Sequence, residues 1–281
     1  MNGNGAKAMR GKRRTPPSPP LRKPLYLDGA HLRSFVLDGP SLRVEDELGR
    51  HRFYPLARLS RIILRGHMHC DTAALEALLS AGLSLTILGA EGEALGWLVS
   101  AQPLLLSTLQ ERLEEAEGLG LLRQALENWR LSRLRMMILR HAVPHLPGVH
   151  PSDLRARTMR SRATNLIYRR SGLEWRKIMR RFRAPLQALA LQHLQEAGVN
   201  AHWLGADSDR PNISNPFAQL LEWVLWGAAL RRTKLSPLNG WRDEIAFFEA
   251  QRESLEQEMQ VLMADLNRTL QDVTFQFRGR S

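Results

Sequence analysis

Arginine dominates the chemistry available to this chain. Between Leu154 and Arg183 stand Arg155, Arg157, Arg160, Arg162, Arg169, Arg170, Arg176, Arg180, Arg181 and Arg183, joined by Lys177, against the single acid Glu174. A solvated helix face normally mixes glutamate among its cations, and this stretch does not. The planar guanidinium fork matches phosphate oxygens, and fixed cations that neutralise phosphates release counterions. The segment therefore points to a nucleic-acid backbone. Tyr168, Trp175 and Phe182 are interleaved with the arginines and either pack inward or stack on bases. Nothing here encodes base readout, so recognition of shape and backbone is expected.

Other residues could in principle do chemistry. Asp207, Ser208 and Asp209 put two carboxylates two residues apart in a polar loop, an arrangement open to a divalent metal or to plain turn formation. His67-Met68-His69-Cys70 is the tightest run of metal-ligating types, with both histidines expected on one face of a strand. A structural zinc needs four ligands, and no second pair stands at a matching distance, so these read as polar turn residues. His141, His145 and His150 are scattered through a proline-bearing stretch and read the same way.

The rest of the chain frames that basic segment. The 281 residues suffice for two domains, and the formal charge is +12. Residues 1–23 carry +7 without an acid and residues 154–183 carry +10, so the remainder nets −5. Such segregation suits a polyanionic partner. Residues 1–23, proline-rich and basic, read as a disordered tail of a cytoplasmic or nucleoid-associated protein, not as a signal peptide. A single cysteine, Cys70, excludes an internal disulfide, and no apolar run reaches the length of a membrane span.

Hydrophobic patterning predicts an α+β protein: a small β-rich domain over 24–100 and a larger all-α domain over 101–281. Short strands are expected at Leu25–Leu27, Leu32–Leu37, Leu42–Glu45, His51–Tyr54, Arg61–Leu64, Leu83–Leu88 and Ala94–Val99, with one helix at Ala73–Ser80. Beyond Pro103 the period turns helical: Leu104–Glu117, Leu119–Ala142, a pair of helices carrying the arginines, Pro185–Ala197, Pro216–Arg232, and one long helix from Trp241 to Asp272. On the last, Leu255, Met259, Leu262, Leu266 and Leu270 form a seam that packs on another helix.

The first domain resembles a known family. Pro24-Leu25-Tyr26-Leu27-Asp28, Ser41–Asp46, Tyr54–Leu64, Thr72–Gly82, Leu85–Leu88 and Gly92…Leu95-Gly96 are similar, in order, to the N-terminal domain of the CRISPR-associated spacer integrase, first of the Cas series. Gln124–Arg130 and Ala190–Val199 resemble that family's first long helix and the helix before its catalytic loop. The resemblance implies a small β-sandwich-like domain that helps form a homodimer and a larger helical, catalytic-type domain that binds duplex or branched DNA. It also raises the small ferredoxin-like partner of the adaptation complex as a companion, while the apolar runs, too short to span, give no membrane. The family's chemistry uses a glutamate, a histidine and an aspartate around Mg2+ or Mn2+ for attack of a DNA 3′-hydroxyl on a phosphodiester.

Those metal-binding positions do not carry over. No glutamate motif precedes the basic segment, where Asp153 is the nearest acid; the histidine position falls at Asp207, with His202 several residues early. The aspartate position becomes Ala218, leaving a trailing Glu222. No catalytic set is intact, the weak candidates being Asp207, Asp209 and Glu222. The expectation is a divergent, catalytically degenerate relative that keeps DNA binding and needs no cofactor. The alternatives are an active metal-dependent integrase using those three acids, and a non-enzymatic assembly scaffold.

Overall fold

The computed structural model of the chain describes residues 22–101, 107–150, 154–205, 209–232, 238 and 240–279. Eight strands come first: β1 Lys23–Asp28, β2 Leu32–Asp38, β3 Ser41–Asp46, β4 His51–Pro55, β5 Leu59–Arg65, β6 His69–Cys70, β7 Ser84–Leu88 and β8 Ala94–Leu98. Helix α1, Thr72–Ser80, interrupts them, started by Asp71, whose carboxylate accepts the Ala74 N–H at 2.8 Å. Seven helices follow: α2 Thr108–Gly118, α3 Leu122–His141, α4 Ala156–Ser171, α5 Trp175–Glu196, α6 Ser214–Arg231, α7 Trp241–Glu249 and α8 Arg252–Arg278. The expected α+β class holds. Most of the expected basic tail, residues 1–21, lies outside the described residues, while Lys23 already belongs to β1.

The strands make two four-stranded sheets, ordered β1-β5-β7-β8 and β4-β3-β2-β6. Leu25, Leu27, Phe35, Leu42, Val44, Ile62, Leu64 and Leu85 meet between them, with Ala74 and Leu78 of α1. The first sheet is also covered on its far side, where Ile63 and Leu88 pack on Ala184 and Ala188 of α5. Covering both faces explains why β5 is buried almost without alternation, Ser60 and Arg61 included.

Three expectations need correction. Pro185 does not begin a helix; it lies within α5, which runs unbroken from Trp175 because its whole length is anchored by buried side chains. Proline cannot donate to the carbonyl of Arg181, a local loss outweighed by packing. The expected single terminal helix is two, parted at Ala250-Gln251. No proline or glycine marks that break; Phe247 and Phe248 of α7 sit against Phe182 of α5, whereas α8 lies along α2, α3 and α6. Two partners in different directions force the bend. The seam Leu255, Met259, Leu262, Leu266 and Leu270 is buried as expected. Lastly, His67 stands outside strand β6, so it shares no strand face with His69.

Candidate nucleic-acid interface

Four helices build a groove on the helical part. On α3, Arg123, Glu127, Arg130 and Leu134 recur at four- and three-residue steps, one stripe of a helix. Arg176, Arg180, Arg183 and Gln187 repeat that spacing on α5. Facing them are Arg157 and Arg160 of α4, and Asn215, Ala218, Gln219 and Glu222 of α6. Together they line three adjoining depressions. The central cleft, about 490 Å³, is lined by Arg130, Arg160, Arg183, Gln187, Asn215, Ala218, Gln219 and Glu222 among others. It shares Arg160, Arg183 and Glu222 with a depression of about 300 Å³ that adds Arg157, Arg176 and Arg180. Through Arg130 and Gln219 it continues into one of about 440 Å³ that adds Arg123 and Asn212.

At the centre, Glu222 is almost wholly buried. Arg160 Nη2 donates to its Oε2 at 3.0 Å, and Arg183 Nε donates to its Oε1 at 3.2 Å. The Arg160 guanidinium also stands 5.6 Å from the ring centroid of the buried Trp223. Arg130 is held by Glu127 through two bonds of 2.8 and 2.6 Å, and that contact keeps the Glu127 carboxyl below the usual range. Gln187 donates to Asn215 Oδ1 at 2.8 Å, so the remaining wall is neutral amide.

The eleven expected cations do not act as one set. Arg157, Arg160, Arg176, Arg180 and Arg183 line the groove. Arg155, Arg169 and Arg170 lie at the ends of α4, Arg170 donating to the Leu230 carbonyl at 3.1 Å. Arg162 donates to the Gly148 carbonyl at 3.2 Å, and Lys177 pairs with Glu174 at 2.5 Å. Arg181 turns the other way. It binds the buried Glu244 of α7, and its Cβ lies against Gly92 of the β-region. Trp175 and Phe182 are buried and pack on Phe247, which removes them as base-stacking platforms; Tyr168 remains exposed.

Arg123, Arg130, Gln187, Asn215 and Gln219 were missed in the sequence. The α3 stripe was the available signal, but Glu127 between its arginines made it resemble an ordinary solvated face. Asp207 and Asp153 lie outside the described residues. Asp209 sits beside the groove, its carbonyl 3.5 Å from Arg123 Nη2. A divalent ion does not fit the described cleft: Glu222 is the only acid lining it, and each of its oxygens is taken by a guanidinium. Among the described residues no three His, Cys, Asp or Glu side chains converge, and no described helix is long and apolar enough to cross a membrane.

A family model for the CRISPR associated protein Cas1 matches residues 28–132. The solved structure of a Cas1 protein from Thermotoga maritima superimposes with a TM-score of 0.65 over 88% of this chain and 97% of its own, at 12% identity. The fold is Cas1-like. A TtCas1–DNA complex matches this Cas1-like fold with a TM-score of 0.60 at 17% identity, covering 88% of this chain and 91% of that one. A casposase bound to its integration product matches with 0.59 at 14% identity, over the same shares. At such identities the structural likeness is one of fold. No curated protein matches the chain by sequence.

Proposed function

We propose that this Cas1-like protein binds DNA by gripping backbone phosphates along the groove, and that it has lost the metal-dependent strand chemistry of spacer integration. One observation carries the reading: seven arginines from three helices line one continuous groove whose described acids, Glu127 and Glu222, are both already paired with arginine. Such a surface binds polyanions through charge and shape, without base readout. The resemblance places the family's aspartate at Ala218 and its trailing acid at Glu222, and both line the central cleft. On this reading the cleft corresponds to the family's reaction site, with guanidinium groups in it.

Neighbours of the same fold include complexes with DNA, and a match within a chain of a Cas6-RT-Cas1–Cas2 complex. They support DNA as the partner here; its duplex or branched form and a cytoplasmic location belong to this proposal. A homodimer through the β-region, and docking of a small ferredoxin-like companion, follow from the same likeness and belong to this proposal.

The test is binding of a labelled branched duplex across a salt series, in EDTA and in Mg2+ or Mn2+, beside a strand-transfer assay. The expected result is steeply salt-dependent binding, indifferent to the divalent ion, with no cleavage or transfer. Metal-dependent strand transfer abolished by Asp209→Ala would overturn the degenerate reading in favour of an active integrase. Absence of DNA affinity at moderate salt would leave an assembly scaffold.

A further inference from the structure

The centre of the groove is built differently from its flanks. Arg157, Arg176 and Arg180 offer cations to solvent, whereas Arg160 and Arg183 share a carboxylate whose side chain is only 5% exposed. Those two arginines remain accessible, at 33% and 67%. A guanidinium has five N–H donors, and Glu222 takes one from each arginine. Arg160 Nε is buried without a hydrogen-bond partner, and its guanidinium lies over the ring of Trp223. Two guanidinium forks that share one buried carboxylate beside one small cleft suit the tetrahedral oxygens of a phosphate.

Glu222 is the element that opposes such a ligand. The other described polar groups on the cleft wall are amides and Arg130, which Glu127 already neutralises. Any anion entering therefore meets one buried negative charge that competes for the same donors. Resting on the reading of the groove as a DNA-backbone site, we infer that Glu222 is the resident counter-ion of a two-arginine phosphate clamp. A backbone phosphodiester binds Arg160 and Arg183 by taking over donors that the carboxylate holds in the free protein, and no divalent ion takes part. Glu222 thereby lowers DNA affinity at the clamp. A metal ligand in its place would raise it.

The experiment uses the full chain, a labelled duplex and EDTA, with anisotropy read over a salt series. Glu222→Gln keeps shape and one acceptor while removing the charge. It is expected to tighten binding about fivefold and to steepen the log–log salt slope by about one. Glu45→Gln, the same charge change on β3, controls for net charge and should leave both within twofold. Unchanged or weaker binding by Glu222→Gln overturns the inference, and weakening confined to Mg2+ assigns the residue to a metal instead. Thermal melting checks that the variant folds. If it does not, Arg183→Gln, at an exposed position, should lose about tenfold affinity where Arg169→Gln loses under twofold; equal losses overturn the clamp. Duplexes with and without 5′-phosphates should bind alike, and a marked preference for phosphorylated ends would overturn the backbone assignment. Failure of the underlying reading looks different: the native chain would show no salt-dependent DNA binding at all.

Discussion

Arg61 of β5, completely buried, donates from Nη1 to Gln192 Oε1 of α5 at 2.7 Å. The contact ties the sheet to the helix that carries Arg176, Arg180 and Arg183. Its Nη2 also lies 3.8 Å from Glu249 Oε1, which accepts the Tyr26 hydroxyl at 2.6 Å. Burial pushes the Tyr26 hydroxyl well above its ordinary pKa, so it stays a donor. Removing the arginine alone strands buried polar partners. Arg61→Ala is expected to cost about 3–5 kcal/mol in urea unfolding. Arg61→Met paired with Gln192→Leu should recover much of that loss.

Helices α3 and α6 touch through Gly227, where an added Cβ would lie 2.6 Å from the His141 carbonyl oxygen. Backbone cannot retreat as a flexible side chain can. Gly227→Ala should cost about 1–3 kcal/mol by the same measurement. Gly96→Ala, with nothing within 4 Å, should fall within about 0.5 kcal/mol of the native protein.

Affinity should follow the groove, not the arginine count. Arg157, Arg176 and Arg180 replaced together by alanine should weaken duplex binding by at least about tenfold near physiological salt and reduce the salt slope by about two to three. Replacing Arg162, Lys177 and Arg181 removes the same formal charge from residues already engaged by the Gly148 carbonyl, Glu174 and Glu244. That variant should bind within about threefold of native while melting earlier, because Glu244 loses its partner. Comparable affinity losses in both variants would show that only total charge matters.

Stability should also depend on pH near neutrality. Burial holds His193 of α5 below its ordinary value of 6.5, despite the nearby Glu196 and Glu256, while Arg61 and Arg252 act in the same direction as burial. His145 is lowered by burial as well, aided by Arg231, Arg170 and His141. A histidine whose folded pKa is depressed takes up protons more readily when unfolded. Its neutral form's contribution is intact above pH 6.5 and is lost as pH falls toward the folded value. The unfolding free energy should therefore decline as pH is lowered from about 7.5 to 5.5, and His193→Gln should flatten part of that slope.

Much of the fold was legible because strand and helix periods are local. The alternation of Leu42 and Val44 with Arg43 and Glu45 marks β3, and a capping residue at Asp71 or Thr72 marks the start of α1, with no knowledge of neighbours; the structure decides for Asp71. The break at Ala250 was not legible, since it answers to where α5 and α2 lie. Pro185 misled for the same reason: its local effect is visible in sequence, while the packing that overrides it is not. Of the site, the sequence supplied the arginines of α4 and α5 and the isolated Glu222, but not their relation.

The sequence by itself determined that this protein carries its positive charge in clusters, that a β-rich part precedes a helical one, and that its first domain resembles the spacer integrases. Which arginines share a surface was decided only by the tertiary structure. Arg160 and Glu222 are 62 residues apart, and Arg123 reaches Asp209 across 86. No periodicity spans such distances. Helices come together through buried side chains such as Trp129 against Phe217 and Trp175 against Trp226, and the charged stripes on their other faces follow. Core packing thus sorted the basic segment into cations that line a groove and cations that hold the fold.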